Sequence, residues 1–292
     1  MAIPEFQYHR PKTLAAACEL GRAYGSASRF LAGGTELLVD LRNKRDQADH
    51  LISLRDIPEL RRIHVDAAGL KIGALATLTE VAESSLVADS VPALREAILT
   101  MAGLQVRNQG TIGGNFCRAV PCADTPPICI AAEAELRIMG TLKERTLAAA
   151  DFFVGPRATV LQPDEILVEI HIPSLPRGFG ARYERFSLRR GSALAVASVA
   201  AAVVLSGDQI QDVRVVLGSV APVPLMVAAC GQELIGRSPG RQLFEHAGQT
   251  AAAAAQPITD LRGSAQFRRH LVAVLTARAL TIATARARGV DA

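Results

Sequence analysis

The stretch "RNQGTIGGN" at residues 107–115 places Gly110, Gly113 and Gly114 within five positions, and "FLAGGTELL" at 30–38 pairs Gly33 with Gly34. Glycine has no Cβ, so its N–H can approach a ligand that other side chains would hold away. Successive N–H groups form an anion-binding concavity, and two such loops suit a diphosphate. No lysine follows "TIGGN" and no helical pattern continues from it. The P-loop fingerprint G-x-x-x-x-G-K-[ST] is therefore absent, as is a G-x-G-x-x-G with its acidic ribose partner. Plain tight turns are the competing reading of one glycine pair, and a second pair weakens it.

Other chemistry is thinly supported. The six histidines, at 9, 50, 64, 171, 246 and 270, have no metal-ligand spacing, and neither H-E-x-x-H nor G-x-S-x-G occurs. His171 is expected on a strand, facing solvent or a satisfied polar neighbour. Cys117, Cys122 and Cys129 crowd into "NFCRAVPCADTPPIC", with gaps of four and six and no fourth cysteine nearby. Iron–sulfur clusters want four thiolates, so these read as small residues packed beside a ligand loop. Cys18 is expected in the core, Cys230 stands alone, and an odd total of five gives no disulfide framework.

With 292 residues the chain can bury two or three modest cores. The net charge of +4 comes from scattered basic residues, which argues against nucleic acid. Arg262, Arg268, Arg269, Arg278, Arg286 and Arg288 are expected to mark a solvated face of a C-terminal helix. The N-terminus lacks a basic and apolar leader, and the longest apolar run, "ALAVASVAAAVVL" (193–205), is too short to span a bilayer and reads as a buried strand. A cytoplasmic protein without a membrane span is expected.

The elements that must position the loops follow from patterning. "KTLAAACELGRAY" reads as a helix with Leu14, Ala17, Cys18 and Tyr24 at helical spacing, "SRFL" as a strand entering the first loop, and "TELLVDLRNK" as a helix leaving it. "HLISL" is a strand, and 62–74 a hairpin turning at 67–69. Thr77 and Glu80 have capping-box spacing, and "VPALREAILTMAG" presents Leu94, Ala97, Ile98 and Met101 on one face ahead of the second loop. Residues 134–147 read as a hairpin. "DEILVEIHIP" alternates, with Ile166, Val168, Ile170 and Ile172 on one face and Leu167, Glu169 and His171 on the other. After a boundary at 174–181, strands at 181–188, 193–206 and 211–218 precede helices from about 226, from 241 and from 264. Strands followed by helices are an α+β signature.

These motifs resemble the FAD-binding medium subunits of the molybdenum hydroxylases, the family of xanthine dehydrogenase and carbon monoxide dehydrogenase. "LAGGTELL" is similar to the family's first flavin-diphosphate loop and "RNQGTIGGNFCRAVPCADTPP" to its second. "DEILVEIHIP", "YERFSLRRGSALAVASVAAAV", "LGSVAPVP" and "GSAQFRRHLVAVLTARAL" resemble later segments in the same order, so the likeness covers essentially the whole chain. It implies an α+β fold: a vanillyl-alcohol-oxidase (PCMH-type) FAD-binding domain over 1–175, in lobes of about 1–57 and 58–175, and a C-terminal domain of three antiparallel strands and helices over 176–292.

The resemblance also implies a site. Leu31, Ala32, Gly33, Gly34, Thr35, Glu36 and Leu37 would form one FAD loop, and Gly110, Thr111, Gly113, Gly114 and Asn115 the other, gripping the diphosphate from two sides without a cation. Asp124 matches an acidic position near the cofactor, and Ile166 and Leu167 match apolar residues near the isoalloxazine. Arg185 stands where relatives commonly carry a lysine near the flavin. Three departures are visible: Ser192, after the basic pair Arg189 and Arg190, stands where an acid is frequent, and Cys122 and Cys129 replace small or aliphatic residues. The implied role is electron transfer, with a molybdopterin-binding large subunit, a small [2Fe–2S] subunit, and NAD⁺, a quinone or O₂ as acceptor. A stand-alone flavin oxidoreductase and a flavin-free assembly scaffold are the alternatives.

Overall fold

The computed structural model describes residues 4–189 and 191–290. Arg190, half of the basic pair noted above, therefore lies outside the described residues. Among the described residues three larger sheets carry the fold, beside a two-stranded ladder of Phe153–Gly155 and Ala158–Thr159. In the first, His50–Ser53 lies between Gln7–His9 and Ser28–Leu31, both pairings parallel. Helix Leu14–Tyr24, capped by Thr13, packs Leu14, Ala17 and the buried Cys18 beneath it. The second sheet is antiparallel, in the order Ile63–Asp66, Gly69–Gly73, Ile166–Pro173, Glu135–Met139 and Glu144–Ala148. Between its second and third strands in sequence run the helices of residues 78–131, including Leu78–Glu83 with the expected Thr77–Glu80 capping box and Pro92–Thr100.

The third sheet pairs Phe179–Phe186, Ala197–Ser206, Gln209–Gly218 and a two-residue strand, Leu225–Met226, which adds a fourth member to the three expected. Ala197–Ser206 is buried on both faces. Val199, Ala201, Val203 and Leu205 face the helices Arg241–Ala254 and Ala265–Ala287, while Ala200 and Ala202 join the core beneath the second sheet. That double burial explains an apolar run broken only by the buried Ser198, where a half-exposed strand would alternate.

Three expectations fail for definite reasons. A helix does follow the second loop: Ile112–Cys117, whose Thr111 side chain accepts from Gly114 N at 3.0 Å. Six residues are too few to display a helical period. The face assignment on Ile166–Pro173 also changes, because the pairing slips between Leu167 and Glu169. Ile166 and Val168 enter the core beneath the first sheet, with Leu14, Cys18 and Ile52, whereas Leu167 joins Ile170 and Ile172 under the second sheet. A bulge of this kind re-aims side chains without disturbing the written alternation.

The arginines at the C-terminal helix form a solvated face only in part: Arg269, Arg278 and Arg288 are exposed, whereas Arg268 is buried and Arg262 and Arg286 are half-buried. Arg268 is 1% exposed and donates to Val196 O at 2.8 Å, Ser219 O at 3.2 Å and Asp260 at 2.6 Å. Arg286 and Arg182 both meet Glu96, at 3.0 and 3.1 Å, tying the last helix and the third sheet to Pro92–Thr100. Glu96 is partly exposed, so Glu96→Gln is expected to cost ~1 kcal/mol and to lower Tm by a few degrees in calorimetry. An unchanged Tm would remove this cluster from the account of how the third sheet docks.

Candidate active site

The two glycine loops lie on each other. A Cβ on Gly33 would stand 1.9 Å from the carbonyl oxygen of Gln109, and one on Gly110 would stand 3.5 Å from Thr35 Oγ1. Gly113 is pinned differently: its Cβ would fall 2.5 Å from that of Ala74. Residues 74–78 hold the second loop against the sheet, since Gly113 N donates to Ala74 O, Ile112 N to Ala76 O, and Leu78 N to Gly110 O, at 2.9–3.0 Å. Gly34 has φ +74°, a turn conformation that costs a side chain. Gly33 and Gly113 therefore serve close contact of backbone with backbone.

The loops differ in what their N–H groups do. Gly110, Ile112, Gly113, Gly114 and Asn115 already donate to Val106 O, Ala76 O, Ala74 O, Thr111 Oγ1 and Thr111 O. In the first loop, none of the N–H groups of residues 33–37 has an acceptor among the described residues. The inventory of donors is thus uneven: those of the first loop are free among the described residues, and those named in the second are engaged within the protein.

These donors border a cleft of about 660 Å³, within the usual range of about 300–1,000 Å³ for cofactor sites. All the expected site residues except Leu31 and Arg185 line it: Ala32, Gly33, Gly34, Thr35, Glu36, Leu37, Gly110, Thr111, Gly113, Gly114, Asn115, Asp124, Ile166 and Leu167. Leu54, Leu75, Leu78, Met101 and Leu161 extend the apolar part, and the thiols Cys117 and Cys122 also border it. Cys129 is instead buried in the helix Thr125–Ala131. Asn115 Oδ1 accepts from Thr125 Oγ1 at 2.7 Å, which leaves its amide nitrogen without an acceptor among the described residues.

Asp124 is a 5% exposed carboxylate on the cleft wall. Tyr183 donates its hydroxyl to Oδ1 at 2.6 Å, and Arg185 Nη1 is 3.2 Å from the same oxygen. Burial pushes the Asp124 carboxyl up to about 6, against the opposing pull of Arg185 and Tyr183, and holds the Tyr183 phenol well above its ordinary value. Arg185 stands behind Asp124, donating to Thr100 O at 3.0 Å and Ala193 O at 2.5 Å. It positions the carboxylate and does not border the cleft. Tyr183 went unread in the sequence, although strand alternation puts it on the face of Arg185.

Sequence reading also missed cations on this wall. Arg29, Arg118 and Arg157 border the cleft, paired with Asp46, with Glu36 and Asp40, and with Asp40 respectively. Left-handed φ at Ala102, Arg157 and Ser192, and at Ala119 beside Arg118, concentrates backbone strain around it. His171 is remote, with ring nitrogens 3.4 Å from Glu135 and 3.2 Å from Ala68 O, as a satisfied surface residue. No helix among the described residues is long and apolar enough to cross a membrane.

Comparison with known proteins agrees with this geometry. Residues 4–175 match the family model described as the FAD binding domain in molybdopterin dehydrogenase, and residues 182–283 match the CO dehydrogenase flavoprotein C-terminal domain. The chain is 35% identical to the carbon monoxide dehydrogenase medium chain of Hydrogenophaga pseudoflava over 98% of its length and 99% of the relative's. A solved carbon monoxide dehydrogenase from the same organism superposes with a TM-score of 0.95, covering 98% of this chain and 99% of that one. The xanthine dehydrogenase FAD-binding subunit of Escherichia coli O157:H7 is 31% identical over 97% of each chain. Free main-chain donors on a cofactor-sized cleft, with both family models matched in order, establish that the chain belongs to the FAD-binding medium subunits of the molybdenum hydroxylase family, whose members are subunits of oxidoreductases.

Proposed function

We propose that this chain carries FAD in the cleft and passes electrons through it from a small [2Fe–2S] subunit to an external acceptor, NAD⁺, a quinone or O₂. A large molybdopterin-binding subunit would perform the substrate oxidation. The observation that carries the reading is the row of unaccepted N–H groups at residues 33–37 on the wall of one large cleft. A flavin supplies two-electron storage with one-electron exchange, which suits a relay between clusters and such acceptors.

The residues present fit that group. Main-chain N–H groups of residues 33–37 would hold the diphosphate, and the free amide of Asn115 adds a donor. Ile166 and Leu167 offer an apolar wall to the isoalloxazine, and Asp124, held by Tyr183 and Arg185, offers an acceptor. The fold reading is of the vanillyl-alcohol-oxidase type, with lobes of about 1–57 and 58–175 clasping the cofactor and 176–292 closing over it. Purified protein is expected to show flavin absorbance and to release FAD on denaturation. Colourless protein that takes up no FAD would overturn the reading.

A further inference from the structure

We infer that Arg118 and Arg157 form a cationic subsite for the phosphates of the cofactor, an inference that rests on the FAD reading above. Both guanidinium groups converge on Asp40, whose side chain is 4% exposed: Arg118 Nη2 pairs with its Oδ2, and Arg157 Nη1 lies 3.5 Å from the same oxygen. Asp40 and Glu36 together balance the two guanidinium charges, so one positive charge is left on the cleft wall once the exposed Glu36 turns away to solvent.

The remaining contact of Arg118 is with Glu36, whose Oε2 is 3.2 Å from Nε. Glu36 belongs to the first glycine loop and its side chain is 65% exposed. Arg118 is thereby held beside the five N–H groups that lack acceptors. An exposed carboxylate has little to lose by turning to solvent, whereas a phosphate between the amides and the guanidinium gains charge-assisted hydrogen bonds from both.

The local backbone is built to hold this arrangement. Ala119, directly after Arg118, has φ +48°, Arg157 has φ +60°, and Arg157 N donates to Ala119 O at 2.7 Å. Two left-handed non-glycine residues locked to each other are more than the neutralisation of Asp40 requires. They place two cations on one wall.

The test compares a flavin with phosphates and one without, using the full-length chain stripped of cofactor, alone and with co-expressed partner subunits. Arg118→Gln is expected to weaken FAD binding ~10- to 100-fold while leaving riboflavin binding within about twofold. Arg157→Gln should act in the same direction to a smaller extent, and Arg118→Lys should restore part of the loss. The salt dependence of FAD binding should be shallower in Arg118→Gln. If losing Arg118 unsettles the fold by leaving Asp40 unpaired, Arg118→Gln combined with Asp40→Asn removes both charges and gives the same comparison. Equal losses for FAD and riboflavin would overturn the subsite and leave the arginines a structural role. Wild-type protein that binds neither flavin would instead overturn the FAD reading itself.

Discussion

Gly33→Ala is expected to yield protein that melts early and holds no FAD, whereas Gly114→Val holds none but loses much less in Tm. At Gly33 the added Cβ would meet the Gln109 oxygen at 1.9 Å and its carbonyl carbon at 2.7 Å. Both are backbone atoms, and the adjoining Gly110 is fastened by Gly110 N to Val106 O at 2.7 Å and Leu78 N to Gly110 O at 2.9 Å. Relief therefore requires the loops to part by an ångström or more. Overpacking against a fixed backbone costs ~3 kcal/mol or more, about 10 °C in Tm for a domain of this size. Parting the loops also separates the free N–H groups of residues 33–37 from the wall opposite. At Gly114 an added Cβ would meet Thr111 Oγ1 at 2.9 Å, a side-chain atom that must shift, at some cost to the cap it makes with Gly114 N. A valine there adds bulk to the cleft wall and displaces the ligand, while the fold loses less than at Gly33, where the clash is with backbone. FAD content and calorimetry on the two variants decide the matter. Gly114→Val protein with full FAD content would exclude this cleft as the cofactor site.

Those two glycines look alike in the sequence, and their difference marks what could be read there. Both loops, the capping box at Thr77, the hairpins and the long C-terminal helix announce themselves through local signals: a cap residue, an alternation, a period sustained over several turns. Features set by distant partners did not. Arg268 looks like a surface arginine until Asp260 and the Val196 carbonyl enclose it. Arg118 and Arg157 carry no motif, and their place on the cleft depends on Asp40, far upstream in the chain. The slip after Leu167 leaves the alternating pattern intact, so only the partner strand reveals that Leu167 has changed cores. Arg185 drew notice through family likeness alone, and its work, holding Asp124, requires a contact between the third sheet and the start of the helix Thr125–Ala131. The N–H inventory likewise needs coordinates, because a glycine loop with every donor engaged reads the same as one with none.

Asp124→Asn should become progressively more stable than the wild type as pH rises from about 4 to 7, and the advantage should then level off. The ordinary carboxyl value of 3.8 describes the unfolded chain, and burial raises the folded value to about 6. Between those values the native protein binds more protons than the unfolded chain, so stability must fall with rising pH. The contribution of this group is full below pH 3.8 and is lost as pH climbs through 6. Above that the folded protein carries a buried carboxylate that Arg185 and Tyr183 only partly offset, a difference of ~3 kcal/mol. Asparagine removes the charge and keeps the oxygen that Tyr183 donates to at 2.6 Å. At low pH the two proteins should therefore melt together, and near neutrality the variant should melt several degrees higher. Arg185→Gln supplies the opposite control: without its cation, 3.2 Å away, the carboxyl holds its proton to still higher pH and the falling limb extends upward. A Tm difference between Asp124→Asn and wild type that stays flat from pH 4 to 8 would mean that this carboxyl is not the buried, titrating group on the cleft wall.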